Sequence, residues 1–170
     1  MKDTKRYLFV FLLLIGLTSC GYSLRGNELI DTNFEALKLN LAQPNSEFSR
    51  ILRRNLAGMG VRIDDENDIA KTGQVTPTIL TVSAEQITNR PVTINPRARA
   101  AQYEMRLSII IELQEGDKTR IEPEALFVEQ TYFEDIENIA GNKDEVQIIT
   151  TEMRRNLVTQ LIRRLESHSN

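Results

Sequence analysis

A chain of 170 residues with 21 basic and 24 acidic side chains carries a formal charge of −3, which argues against non-specific binding to nucleic acid. Its length favours a single domain. A lone cysteine excludes an internal disulfide, so stability must come from the core.

The first segment reads as an export signal. Lys2, Lys5 and Arg6 form a positive start diluted by Asp3, Tyr7 to Leu17 are apolar, and Thr18, Ser19 and Cys20 are small. A stable membrane-spanning helix needs about 20 apolar residues, more than this run supplies. Leu17-Thr18-Ser19-Cys20 has the form of a bacterial lipobox, in which the cysteine sulfur receives a diacylglycerol and, after cleavage, its amine a further acyl chain. The plainer alternative is a secretory signal with an incidental cysteine. Each buried methylene contributes ~0.8 kcal/mol, so one chain binds marginally and several bind stably. Gly21 follows the cysteine where inner-membrane lipoproteins often carry Asp, so an outer-membrane anchor facing the periplasm is expected. Residues 1–19 form the signal, 20–33 the lipidated tether, 34–166 one domain and 167–170 a polar tail. With Cys20 acylated, no thiol remains for chemistry.

Phe34 to Leu41 alternates Leu37, Leu39 and Leu41 on one face and predicts a strand. Ser46 offers a helix cap, Glu47 suits the first turn, and Phe48, Ile51, Leu52 and Leu56 recur at helical spacing. Gly58 and Gly60 are stop signals, followed by a short strand at Val61-Arg62-Ile63 and a polar loop over Asp64 to Pro77. Thr78 to Thr88 predicts a further strand, and Arg90 to Arg99, with two prolines, a loop or bent connection. From Ala101 to Leu113, Tyr103, Met105, Leu107, Ile109, Ile111 and Leu113 share one face, and Gln102, Glu104, Arg106, Ser108 and Glu112 the other, interrupted by Ile110. That is an amphipathic antiparallel strand. Gln114 to Asp117 supplies a turn, and Thr119 to Phe133 returns, with Pro123 at an edge or bulge. Asn142 and Glu145 resemble a capping box, after which Val146, Ile149, Met153, Leu157, Leu161 and Leu165 draw a helical stripe about 35 Å long. The expected fold class is α+β: a small, mostly antiparallel sheet of about four strands with two helices packed on one face.

Candidates for catalysis are poor. His168, the single histidine, lies in the polar tail and reads as a frayed terminal side chain. Asp64, Asp65, Glu66 and Asp68 fail the calcium-loop template, having Ile69 where glycine and Val75 where glutamate belong, and read as a solvated acidic loop. Glu134, Asp135 and Glu137 lack a proton partner and read as a polar connection. No metal site, cofactor or enzymatic activity is expected. Arg90, Arg97 and Arg99 cluster before the long strand, and Lys143 opens the last helix. Arginine's planar fork suits phosphate, so an anionic glycolipid head group is a possible ligand; ordinary solvated arginines are the alternative.

Cys20-Gly21-Tyr22-Ser23-Leu24-Arg25-Gly26, Ser49-Arg50-Ile51-Leu52-Arg53, Gly60-Val61, Arg99-Ala100-Ala101-Gln102-Tyr103-Glu104-Met105 and the closing Glu152-Met153-Arg154-Arg155 with Gln160-Leu161-Ile162-Arg163-Arg164-Leu165 follow one another along the chain. Together they resemble the lipopolysaccharide-assembly lipoprotein family (LptE). The resemblance implies a non-catalytic partner of the outer-membrane β-barrel LptD, one that plugs the barrel, assists its assembly and binds lipopolysaccharide. Arg97, Arg99 and Lys143 are the candidate lipopolysaccharide-binding residues, and Cys20 the lipidation site. Two other readings compete: a periplasm-facing lipoprotein that carries lipid in another envelope transport system, and a hydrolase of envelope polymers. The first needs a greasy cavity, the second a working carboxylate.

Overall fold

The computed structural model describes residues 36–64, 78–94, 100–134 and 139–168, so Cys20, the tether, and Arg97 and Arg99 lie outside it. In chain order the described elements are β1 (Ala36–Leu41), α1 (Glu47–Gly58), β2 (Arg62–Asp64), β3 (Thr78–Val82), β4 (Gln86–Ile94), β5 (Ala100–Glu115), β6 (Lys118–Phe133) and α2 (Ile139–Ser167).

The organising piece is the β5–β6 hairpin, two strands of 16 residues each. Glu115 pairs with Lys118, leaving Gly116 and Asp117 as the turn. Gly116 takes φ 56°, the left-handed backbone that a tight hairpin requires at its first central position. β6 lines one edge of β5, and the other edge is shared end to end by β3, opposite Ile111 to Glu115, and β4, opposite Ala100 to Ser108. The strand expected over Thr78 to Thr88 is therefore divided. At the division Ser83 N–H donates to the Ile110 carbonyl (2.9 Å), and the Ser83 hydroxyl accepts from Ile110 N–H (2.9 Å), standing in for a main-chain acceptor.

The sheet is larger and more mixed than expected. Six strands are present among the described residues, and β1 runs parallel to both β2 and β3. The cause is α1: a helical crossover returns the chain in its original direction, so β2 joins β1 in parallel, whereas tight turns make antiparallel pairs. One end of the sheet is thus broad (β2-β1-β3-β5-β6) and the other narrow (β4-β5-β6). Arg90 to Ile94, expected within a loop or strongly bent hairpin connection, belongs to β4; Pro91 is tolerated because β4 is an edge strand, and the register shifts just after it.

Helix α1 has the start and stop that its sequence encodes. The Ser46 hydroxyl accepts from Ser49 N–H (3.1 Å), and Ser49 Oγ donates to the Gln43 carbonyl (2.6 Å). At the other end Gly60, at φ 82°, donates to Ala57 O, and Val61 N–H to Leu56 O, the paired bonds of a Schellman stop. Buried Val61 and Leu56 supply its hydrophobic contact.

Helix α2 spans 29 residues, about 43 Å. It starts three residues before Asn142, so Asn142 lies in the first turn and is not the cap expected of it. His168 is not frayed either: its N–H donates to the Leu165 carbonyl, and its Nδ1 lies 3.0 Å from Ser167 Oγ and 3.2 Å from the Arg164 carbonyl, closing the helix.

Both helices cover one sheet face, as expected. Phe48, Leu52 and Leu56 of α1 and Met153, Leu157, Val158, Leu161, Ile162 and Leu165 of α2 meet Leu37, Leu80, Val82, Met105, Leu107, Ile109, Ile111, Leu113 and Ile121 in one core. Each such side chain contributes about 1.5–3 kcal/mol by leaving water. Arg154 of α2 pins three parts together, donating to Glu47 of α1 (2.6 Å) and to Glu85 beside the β3–β4 division (2.8 Å). Arg164 makes a forked pair with Glu124 of β6, tying the far end of α2 to the sheet.

Candidate functional site

Arg97 and Arg99 lie outside the described residues, but the strand ends that flank them and the first turns of α2, which carry Lys143, belong to the narrow end of the sheet. Ile94 and Ala100, which flank the segment holding Arg97 and Arg99, pair with each other at the tip of β4 and β5. β6 ends beside them, Phe133 opposite Gln102, and α2 begins a few residues later. The Thr150 hydroxyl lies 3.5 Å from Met105 Sδ, which fixes the level of the helix along β5. From there, seven helical residues back to Lys143 and three strand residues back to Gln102 each cover about 10 Å. Lys143 is exposed at the height where β5 begins.

Arg90, read with those cations in the sequence, behaves differently. Its Nε donates to Glu104 Oε1 at 2.6 Å across the β4–β5 ladder. The bond and the opposite charge raise the Arg90 pKa, and the same contact lowers that of Glu104. Its charge is therefore largely answered within the sheet. On the next rungs Arg106 lies 3.6 Å from Glu129, with its guanidinium 3.8 Å above the Phe127 ring. Thr88, Arg90, Glu104, Arg106 and Glu129 line a shallow cleft of about 220 Å³ on the face that no helix covers. Ile110, 52 % exposed, and Phe127, 42 % exposed, lie beside it on that face.

On the helix-facing side, Tyr103 and Tyr132 stack with centroids 5.6 Å apart and planes 16° from parallel. A hydrogen bond to Glu134, with burial and charge adding to it, raises the Tyr103 pKa; burial and the Glu134 charge raise that of Tyr132. Both stay neutral phenols at physiological pH. Glu134, read as a plain connector, thus has a partner.

Among the described residues, no group of three His, Cys, Asp or Glu side chains is placed to hold a metal, and no helix is long and apolar enough to cross a membrane. Asp64 ends β2; Asp65, Glu66, Asp68, Asp135 and Glu137 lie outside the described residues. Sequence reasoning missed the Arg106–Phe127 contact and the Arg154 tie. The signal for both was present, in alternate residues of β5 and β6 and in an arginine amid the apolar stripe of α2. Neither names its partner without a register.

Residues 34–165 match the model of the family described as LptE: Lipopolysaccharide-assembly. A curated relative, the LPS-assembly lipoprotein LptE of Pectobacterium atrosepticum, is 28% identical over 162 residues, covering 92% of this chain and 84% of that protein. Among solved structures, the rare lipoprotein B from Shewanella oneidensis superposes with a TM-score of 0.67 at 17% identity, over 78% of this chain and 94% of its own. A minor lipoprotein from Acinetobacter baumannii gives 0.61 at 17% identity, over 79% and 92%. The solution structure of lipoprotein B from Nitrosomonas europaea gives 0.63 at 13% identity, over 79% and 83%. At these identities the structural likeness establishes the fold alone.

Proposed function

Because this chain belongs to the LptE lipopolysaccharide-assembly family, we propose that it is the outer-membrane lipoprotein that plugs an LptD-type β-barrel, helps to assemble it and binds lipopolysaccharide on its way to the cell surface. Cys20 carries the lipid anchor, the body faces the periplasm, and the protein acts by binding and by filling space, without catalysis. It needs no cofactor beyond the covalent lipid. Arg97, Arg99 and Lys143 contact the phosphorylated head group. The observation that carries this reading is a family match that runs through both helices and the whole sheet.

The geometry supports it in two ways. Barrel lumens are polar, and the uncovered face offers one a hydrated surface of paired charges. The three proposed lipid contacts come from segments that start or end at the narrow tip. Confining plug and barrel to one membrane raises their effective concentration for each other.

The lipid-carrier alternative needs an apolar chamber. Among the described residues the space between sheet and helices is filled instead by side chains such as Leu52, Leu107 and Leu157, each fully buried. Purification from detergent-solubilised outer membranes should recover the acylated protein with one large β-barrel. Charge reversal at Arg97, Arg99 and Lys143 should weaken lipopolysaccharide retention while leaving the barrel bound. Recovery without any barrel, or unchanged lipopolysaccharide retention, defeats the corresponding half of the reading.

A further inference from the structure

Five arginines among the described residues are answered by carboxylates. Arg90 faces Glu104, Arg106 faces Glu129, Arg120 faces Glu115, Arg154 faces Glu47 and Glu85, and Arg164 faces Glu124. A different arrangement holds in a groove of about 370 Å³ between α1 and α2, on the outer side of the helical layer. Arg50, Arg54 and Arg155 line it, all three exposed, and none forms an ion pair among the described residues.

Arg50 and Arg54 stand one turn apart on α1, a spacing at which like charges repel, and Arg155 approaches from α2. The one acid in the lining, Glu47, is committed to Arg154 at 2.6 Å. Asn55 and Thr159 add uncharged hydrogen-bonding groups to the wall. In a chain of net negative charge, three arginines line one concave surface with no ion pair among the described residues.

We propose that this groove is a phosphate-binding site, with Arg50, Arg54 and Arg155 as its ligands and the phosphorylated head group of an envelope lipid as its occupant. Planar forks with several fixed donors, arriving from two helices, match the oxygens of a phosphate better than a single ammonium does. The site is separate from Lys143, which lies 12 residues earlier on α2, about 18 Å along its axis. It therefore stands apart from the Lys143 part of the lipopolysaccharide contact proposed above.

The test uses the full-length lipoprotein in a non-ionic detergent, with the arginine Nε–H resonances followed by NMR. Two probes are titrated: inorganic phosphate and dihexanoyl phosphatidic acid. Resonances of Arg50, Arg54 and Arg155 should shift with both. At least fivefold tighter binding of the lipid identifies a head group, and equal binding identifies free phosphate as the ligand. The variant R50Q/R54Q/R155Q should lose at least tenfold in affinity for both probes, whereas Arg163→Gln, which removes another exposed cation of α2, should leave affinity within twofold. Melting of the triple variant should hold or rise, because mutual repulsion is removed. No shift with either probe, or unchanged binding by the triple variant, overturns the site. Lys143→Glu should leave both titrations unchanged, so loss of lipopolysaccharide retention there reports on the other reading alone.

Discussion

The two faces of the β5–β6 hairpin are made by alternate residues of the same strands, yet they are governed by different physics. Toward the helices, Met105, Leu107, Ile109, Ile111 and Leu113 are at most 1 % exposed and held by close packing. Away from them, Glu104, Arg106, Ser108 and Ile110 meet water, and the cross-strand contacts are ion pairs and an arginine on a ring. Burial fixes the first face, where changes are felt at once. The second contributes little to stability and is free to be shaped by a partner, because exposed ion pairs contribute only about 0–1 kcal/mol.

The comparison can be broken most severely at Ile109. Ile109→Asp places a carboxylate in the core, and its desolvation costs several kcal/mol or forces protonation; thermal melting should show loss of the folded domain at neutral pH. A smaller but clear effect is expected at the junction of layers. Arg154→Met leaves Glu85, whose side chain is 11 % exposed, without its partner, at a cost of about 1–3 kcal/mol by urea titration. Both faces would be governed alike if Phe127→Thr cost as much as a core change. It should instead shift stability by less than about 1 kcal/mol, the value of an exposed cation–ring contact. On the proposed plug reading, with the uncovered face against the barrel, it should also weaken recovery of the barrel in pull-down.

The smallest effect is a pH dependence. Arg90 holds the Glu104 carboxyl below its ordinary value of 4.5. A carboxyl lowered on folding adds stability that is present above its unfolded pKa and is lost as pH falls through the folded one. Glu104→Gln should therefore flatten the decline in melting temperature below pH 4.5. With Arg90 at 73 % exposure, 1 M salt should erase most of the difference between the two proteins.

What the sequence reveals follows the same division. Periodicity located the buried strand face of β5, the apolar stripe of α2, and the Ser46 and Gly60 boundaries of α1, because burial and capping are local demands on residue type. It did not reveal that β1 runs parallel to its neighbours, since direction depends on the crossover and not on the strand's own residues. Pro91 suggested a loop because proline removes a donor, a loss that matters only on a paired edge; β4 turns its other edge to β5. Nothing in the sequence links Arg50 and Arg54 to Arg155, and only the packing of α1 against α2 brings Arg155 to the others.

The two-residue turn at Gly116 has a bearing on the order of assembly. Closing a loop costs about 0.6 kcal/mol more for each doubling of its length. Glu115 and Lys118 meet across the shortest connection available, while Asn40 and Thr81 must find each other over 41 positions. The long hairpin can zip from its tip at low entropic cost, and its free edge then serves as the template that captures β3 and, last, the parallel strand beside it.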